Sequence, residues 1–229
     1  MKNFQNDFSS DEILMLLKNS SSLSYLKGMK RFGIDTSLTK PLGVSIPKLR
    51  KIAKIIGKNH KLAIKLWNTK IHEARLLASF IDDYKCVTEN QMEKWSYEFS
   101  SWDICDAVCG NFFYKTPFAI EKAKELSQRK NEFEKRAGFV LMAELAIHNK
   151  QLSDNIFIEF FLLIISESYD ERNFVKKSIN WSLRQIGKRN AYLKEKALLV
   201  SKELKNSNFK SARWIGSDAF RELNQYNFD

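Results

Sequence analysis

Two side chains four residues apart, Trp102 and Asp106, mark the segment Ser101-Trp102-Asp103-Ile104-Cys105-Asp106. On a helix, positions i and i+4 lie on one face, so this spacing sets a carboxylate beside an indole. The chain around them carries 38 Lys+Arg against 27 Asp+Glu, a formal net charge of +11. An anion among aromatic rings stabilises a cation. At ~4 Å and an effective dielectric of ~20 the attraction is about 4 kcal/mol. That corresponds to roughly a thousandfold in rate if it is gained mainly in the transition state. Indole faces add about 1–2 kcal/mol of cation–π attraction when desolvated. A deoxyribose whose N-glycosidic bond is breaking is such a cation, and the same carboxylate can orient a water toward the sugar carbon. Asp103 points about 100° away around a helix and is expected to cap or support. No general acid accompanies Asp106. A base already cationic through alkylation needs no proton on departure, so the chemistry leans toward cationic alkylpurines.

Other chemistries find little footing. The sequence has no G-x-S-x-G elbow, no lysine in a recognisable Schiff-base setting and no phosphate-binding glycine loop. Cys105 and Cys109 lie on the helix of Asp106 with no histidine close in sequence, and are expected to be small core residues. Cys86 and the dispersed His60, His72 and His148 lack zinc-ligand spacing. No stretch after Met1-Lys2-Asn3-Phe4-Gln5-Asn6-Asp7 looks secretory, and the longest apolar run, Phe160 to Ile165, is far short of a membrane span. A reducing cytoplasm is the expected setting.

The elements that must position these residues are helical throughout. The chain has only 8 Gly and 3 Pro in 229 residues and is 44% hydrophobic, and alternating β-branched runs are absent. Helices are expected near Asp11–Asn19, Ser22–Phe32, Pro47–Gly57, Lys61–Asn68, His72–Asp82 and Glu89–Phe99. They continue near Trp102–Phe113, Pro117–Arg129, Glu132–Asn149, Asp154–Glu167, Asp170–Lys188, Ala191–Lys205 and Lys210–Asn224. Pro47 and Pro117 sit at first-turn positions. No Gly-, Ser- or Pro-rich linker divides the chain, so one domain over 1–229 is expected. Helices of similar length without a long central one point to stacked antiparallel pairs, an α-solenoid with a concave inner face.

The basic residues follow helical rows. In Asp170–Lys188 the stripe Val175, Ile179, Ser182 and Ile186 faces a core. Lys177, Trp181, Arg184 and Lys188 share the opposite face. Trp181 there either packs on a neighbouring layer or offers its ring to sugar or base, beside cations suited to phosphate. In Pro47–Lys58, Lys48, Lys51, Lys54 and Lys58 line one side with Arg50 nearby, either solvated or as phosphate contacts. Lys210 and Arg213 flank Trp214 in a weaker cluster. Arg136 borders the apolar Ala137, Val140 and Leu141, where it either snorkels or reaches a phosphate bidentately.

Several segments together resemble the AlkD family of DNA alkylation repair enzymes, built from HEAT-like helical repeats. Gly43-Val44-Ser45-Ile46-Pro47-Lys48-Leu49-Arg50 is similar to the family's Gly-x-x-x-Pro-x-x-Arg segment, and Leu66-Trp67 with Glu73 and Arg75 to its next helix pair. Trp102-Asp103-Ile104-Cys105-Asp106 resembles its Trp-Asp-x-x-Asp signature, Lys135-Arg136-Ala137 its Gln/Lys-Arg-Ala segment, and Trp181-Ser182-Leu183-Arg184 its Trp-x-Leu-Arg helix. The resemblance runs from about Gly43 to Leu223 and leaves the N-terminal stretch 1–39 unmatched. One departure is Ser101, where the family pattern has a tandem Trp. The resemblance implies a right-handed superhelix of antiparallel pairs, armadillo-like, with a concave basic face that holds duplex DNA. It implies Asp106 as the catalytic carboxylate, Trp102 and Trp181 as the indoles that cradle the deoxyribose, and Arg136 and Arg184 on the DNA backbone. Lys177, Lys188, Lys48, Lys51 and Arg213 are the further DNA contacts expected. The function implied is a monofunctional glycosylase for 3-alkyladenine and 7-alkylguanine, without metal or organic cofactor. The expected partner is duplex DNA containing alkylated bases. No membrane and no partner subunit is expected, and the monomer would be cytoplasmic and associated with the nucleoid when on DNA. The alternative is a non-catalytic binder of damaged or branched DNA, with a protein-binding scaffold ranked after it.

Overall fold

The computed structural model describes residues 8–34 and 39–228. Of the N-terminal stretch 1–39, residues 1–7 and 35–38 lie outside the described residues. The described residues form thirteen α-helices and no strand. They are α1 (Ser10–Asn19), α2 (Leu23–Met29), α3 (Ile46–Ile56), α4 (His60–Asn68), α5 (His72–Ile81), α6 (Glu89–Tyr97) and α7 (Trp102–Asn111). There follow α8 (Ala119–Ser127), α9 (Glu132–His148), α10 (Asp154–Glu167), α11 (Asn173–Gly187), α12 (Ala191–Lys205) and α13 (Lys210–Gln225).

Local signals set most boundaries. Ser9 and Glu12 close a reciprocal capping box on α1, and Pro47 lies in the first turn of α3. Two starts fall two or three residues later than the sequence suggests. Asp170 does not open α11, because its carboxylate is engaged by Arg172 at 2.9 Å from Nε and 2.5 Å from Nη2. Arg172 is extended, and the helix begins after it. Pro117 likewise precedes α8 by two residues, with Phe118 as N-cap.

The chain forms two compact units. The first runs to Met92 and resumes over Glu98–Thr116, and the second holds Glu93–Tyr97 and Pro117 onward. In the first unit α3, α5 and α7 run parallel, as their end contacts show. At the leading ends, Glu73 accepts from the backbone N–H groups of Leu42 (2.7 Å), Gly43 (2.6 Å) and Val44 (3.2 Å), in the loop that enters α3. There too, His72 meets Asp103 of α7. At the trailing ends, Lys58 donates to the carbonyls of Phe80 and Asp82, and Asn111 donates to Ser79. The loop leaves no room for a side chain at Gly43: its φ is +81°, and a Cβ would lie 2.4 Å from the Ser22 carbonyl. α4 packs on α5 as its antiparallel partner.

The second unit repeats the plan. Arg136, early in α9, reaches the Phe174 carbonyl early in α11, while Arg189 past the end of α11 reaches the Ala146 carbonyl late in α9. α13 packs on α11 in the same direction, and α8, α10 and α12 complete the hairpin pairs. The expected stripe Val175, Ile179, Ser182 and Ile186 is buried. Phe139, Phe157 and Phe160 are among the large side chains that fill the core.

Candidate nucleic-acid interface

α7 is two-sided. Ile104, Cys105, Val108 and Cys109 are buried, while Trp102 and Asp106 are both partly exposed. The acid is therefore not sealed in the core, and the two cysteines fill it as expected. Trp102 is held at its polar edge: its indole Nε1 donates to the Phe32 carbonyl at 2.9 Å, which leaves the ring as the presented surface.

Asp103 takes the supporting role. Its Oδ2 lies 2.8 Å from Nε2 of the fully buried His72, and its Oδ1 accepts from the Ser101 hydroxyl at 2.6 Å. Burial pushes this carboxyl up, but hydrogen bonds from His72 and Ser101 outweigh that and hold it below its ordinary value. Sequence spacing dismissed His72 as a metal ligand and gave no hint of this tie, which crosses from α5 to the first turn of α7. Glu73, buried and bonded to three backbone N–H groups, was noticed only as part of a family segment.

Of the cations in the first unit, Lys48 and Lys51 are exposed on α3. No carboxylate lies within ion-pair distance of either among the described residues.

In the second unit Trp181 lies partly exposed on α11, with Lys177 exposed on the same side. Arg136 is 7% exposed, and its Nη1 donates to the Phe174 carbonyl at 2.6 Å. Its guanidinium is therefore anchored on α11 rather than free to snorkel. Arg184 and Lys188 both pair with the carboxylate of Glu222 on α13. Burial raises the Glu222 carboxyl, yet hydrogen bonds from Lys188 and Arg184 bring it below its usual range. Arg213 is exposed and donates from Nη1 to the Ser207 carbonyl at 3.0 Å. Lys176, absent from the sequence expectations, stands 5.4 Å from the centre of the Trp214 ring. Among the described residues no cluster of three or more His, Cys, Asp or Glu side chains is placed to hold a metal ion. No helix among them is long and apolar enough to cross a membrane.

In each unit, antiparallel helix pairs stacked so that the corresponding helices of successive pairs run parallel define a helical-repeat protein. The chain belongs to the DNA alkylation repair enzyme family, whose model matches residues 13–221. No curated protein matches the chain. A solved structure described as "A new family of proteins related to the HEAT-like repeat DNA glycosylases with affinity for branched DNA structures" is similar at a TM-score of 0.77. It shares 19% identity over 94% of this chain and 96% of its own. At that identity the likeness speaks for the fold, which is all-α and built of HEAT-like repeats.

Proposed function

We propose that the protein is a monofunctional DNA glycosylase acting on cationic alkylated purines, 3-alkyladenine and 7-alkylguanine, in duplex DNA. The observation that carries this reading is the acid–indole pair of α7, with Asp106 one turn from Trp102 on the open side of a helix whose other side is core. Family membership supports it.

In this reaction the glycosidic bond breaks and its electron pair passes to the base, neutralising it. Water oxygen bonds to the sugar carbon and a proton is released. Asp106 stabilises the oxocarbenium-like sugar or positions that water. Trp102 and Trp181 hold the deoxyribose, and Arg136 and Arg184 hold the backbone. Lys177, Lys188, Lys48, Lys51 and Arg213 supply sequence-independent phosphate contacts. The proposal invokes no metal, organic cofactor or second subunit, and sets the protein on nucleoid DNA in the cytoplasm.

Release of free base from methylated duplex DNA tests it. Asp106→Asn is expected to slow release about a thousandfold while duplex binding stays within a few-fold. Release at the wild-type rate by this variant refutes the assigned role.

A second reading, a non-catalytic binder of damaged or branched DNA, is favoured by the affinity for branched DNA ascribed to the similar solved structure. Salt-sensitive binding without any base release selects it.

A further inference from the structure

A cavity of about 570 Å³ opens in the first unit between α2 and the start of α3. Its size falls within the ~300–1,000 Å³ of small-ligand sites. Three features give it a chemical character. First, among the described residues no carboxylate lines it: its polar side chains are the hydroxyls of Ser20, Ser21, Ser22, Ser24, Ser45 and Tyr25 and the Lys48 ammonium. That set favours an anion with several acceptor oxygens. Second, its apolar wall combines the buried Met29 and Ile34 with two aromatic rings left in water, Tyr25 at 39% and Phe32 at 69% exposure. Exposed rings beside a cation are a stacking surface for bases. Third, Gly28 lines it within α2, and a Cβ there would meet nothing within 4 Å. Glycine inside a helix is unfavourable relative to alanine, and neither its backbone nor its neighbours require it. What the missing side chain preserves is the open space.

The cavity also adjoins the acid–indole helix. Phe32, which lines it, supplies the carbonyl that receives the Trp102 indole N–H at 2.9 Å.

We propose that this cavity binds one unpaired nucleotide unit, with the base against Tyr25 and Phe32 and the phosphate at Lys48 and the serine hydroxyls. The ligand is a nucleoside monophosphate group, carried extrahelically in a DNA strand or free in solution. The inference rests on the DNA-binding part of the function proposed above. It adds a place for a displaced nucleotide, which unstacking makes available at a damaged or mismatched position.

Binding is measured by fluorescence anisotropy on a labelled duplex with a single bulged nucleotide and on the same duplex fully paired. Wild type is expected to prefer the bulged duplex by at least tenfold. Gly28→Leu sets a branched side chain in the cavity and obstructs it, so it should bind both duplexes alike, at the wild-type affinity for the paired one, with a melting temperature equal to or above wild type. Should Gly28→Leu melt early, Tyr25→Leu, which removes a ring without filling space, serves instead and should lower the preference several-fold. Deoxyadenosine monophosphate is the competitor. Displacement of only the bulged probe means that a free nucleotide suffices, and no displacement ties the site to the strand. A wild type without preference, or a well-folded Gly28→Leu that keeps it, overturns the proposal. Base release is scored separately. Bulge preference without release sinks only the glycosylase reading, and release without bulge preference sinks only the pocket.

Discussion

Glu222 arbitrates between two of the expected DNA contacts. Arg184 and Lys188 are partly buried cations sharing its carboxylate, so a phosphate must take them from an intramolecular partner. Glu222→Gln removes the competitor and is expected to tighten duplex binding two- to fivefold, about 0.5–1 kcal/mol, in anisotropy titrations at fixed salt. Glu73 is the opposite case, an acid with nothing to exchange. Glu73→Ala leaves three N–H groups of the Leu42–Val44 loop without their acceptor and is expected to lower stability by about 3 kcal/mol, read from urea unfolding. The sequence revealed Trp102 and Asp106 because an i, i+4 pair needs only the helix that carries it. It could not reveal His72 as the partner of Asp103, because 31 residues separate them and only the packing of α5 on α7 joins them. Glu222 was hidden for the same reason, 38 residues beyond Arg184.

At the scale of elements, helices were legible wherever their ends carry their own chemistry, as with the Ser9–Glu12 box and Pro47. They were less so where a tertiary contact decides. Asp170 reads as a helix start, but Arg172 claims its carboxylate. The stacking of antiparallel pairs was legible from helices of similar length without a long central one, but the contacts between helix ends that set its register were not. Close approach between helices is just as hidden. At Gly138 of α9 a Cβ would lie 2.2 Å from the Ser127 nitrogen at the end of α8. Gly138→Ala therefore forces the hairpin apart and is expected to cost about 2–4 kcal/mol, seen as a lower urea midpoint. The joint between α5 and α7 should be pH-sensitive. The Asp103 carboxyl is pushed up by burial but held below its ordinary value by His72 and Ser101. A depressed carboxyl adds stability above its unfolded pKa, near ~3.9, and loses it as pH falls through the lower folded value. Stability of the wild type should therefore drop below about pH 4, and Asp103→Asn, already weaker at neutral pH, should show a shallower drop over the same window.

For the molecule as a whole, a count of 38 Lys+Arg overstates the cations available to a polyanion. Lys122, Lys124, Arg129, Lys135 and Arg172 are engaged by carboxylates in the second unit. Lys48, Lys51 and Lys54 of α3 have no carboxylate within ion-pair distance among the described residues. Only cations that replace condensed counterions on DNA contribute to the dependence of affinity on salt, each by close to one unit of the log–log slope. Binding of paired duplex, followed by anisotropy from low to moderate KCl, should therefore separate the two groups. Lys51→Ala is expected to reduce the slope by about 1 and to weaken binding by a similar factor on any sequence. Lys124→Ala, which removes a side chain 2.7 Å from Glu159, should leave the slope unchanged. Equal slopes for wild type and Lys51→Ala would remove Lys51 from the DNA-binding surface and leave its charge as a matter of solubility.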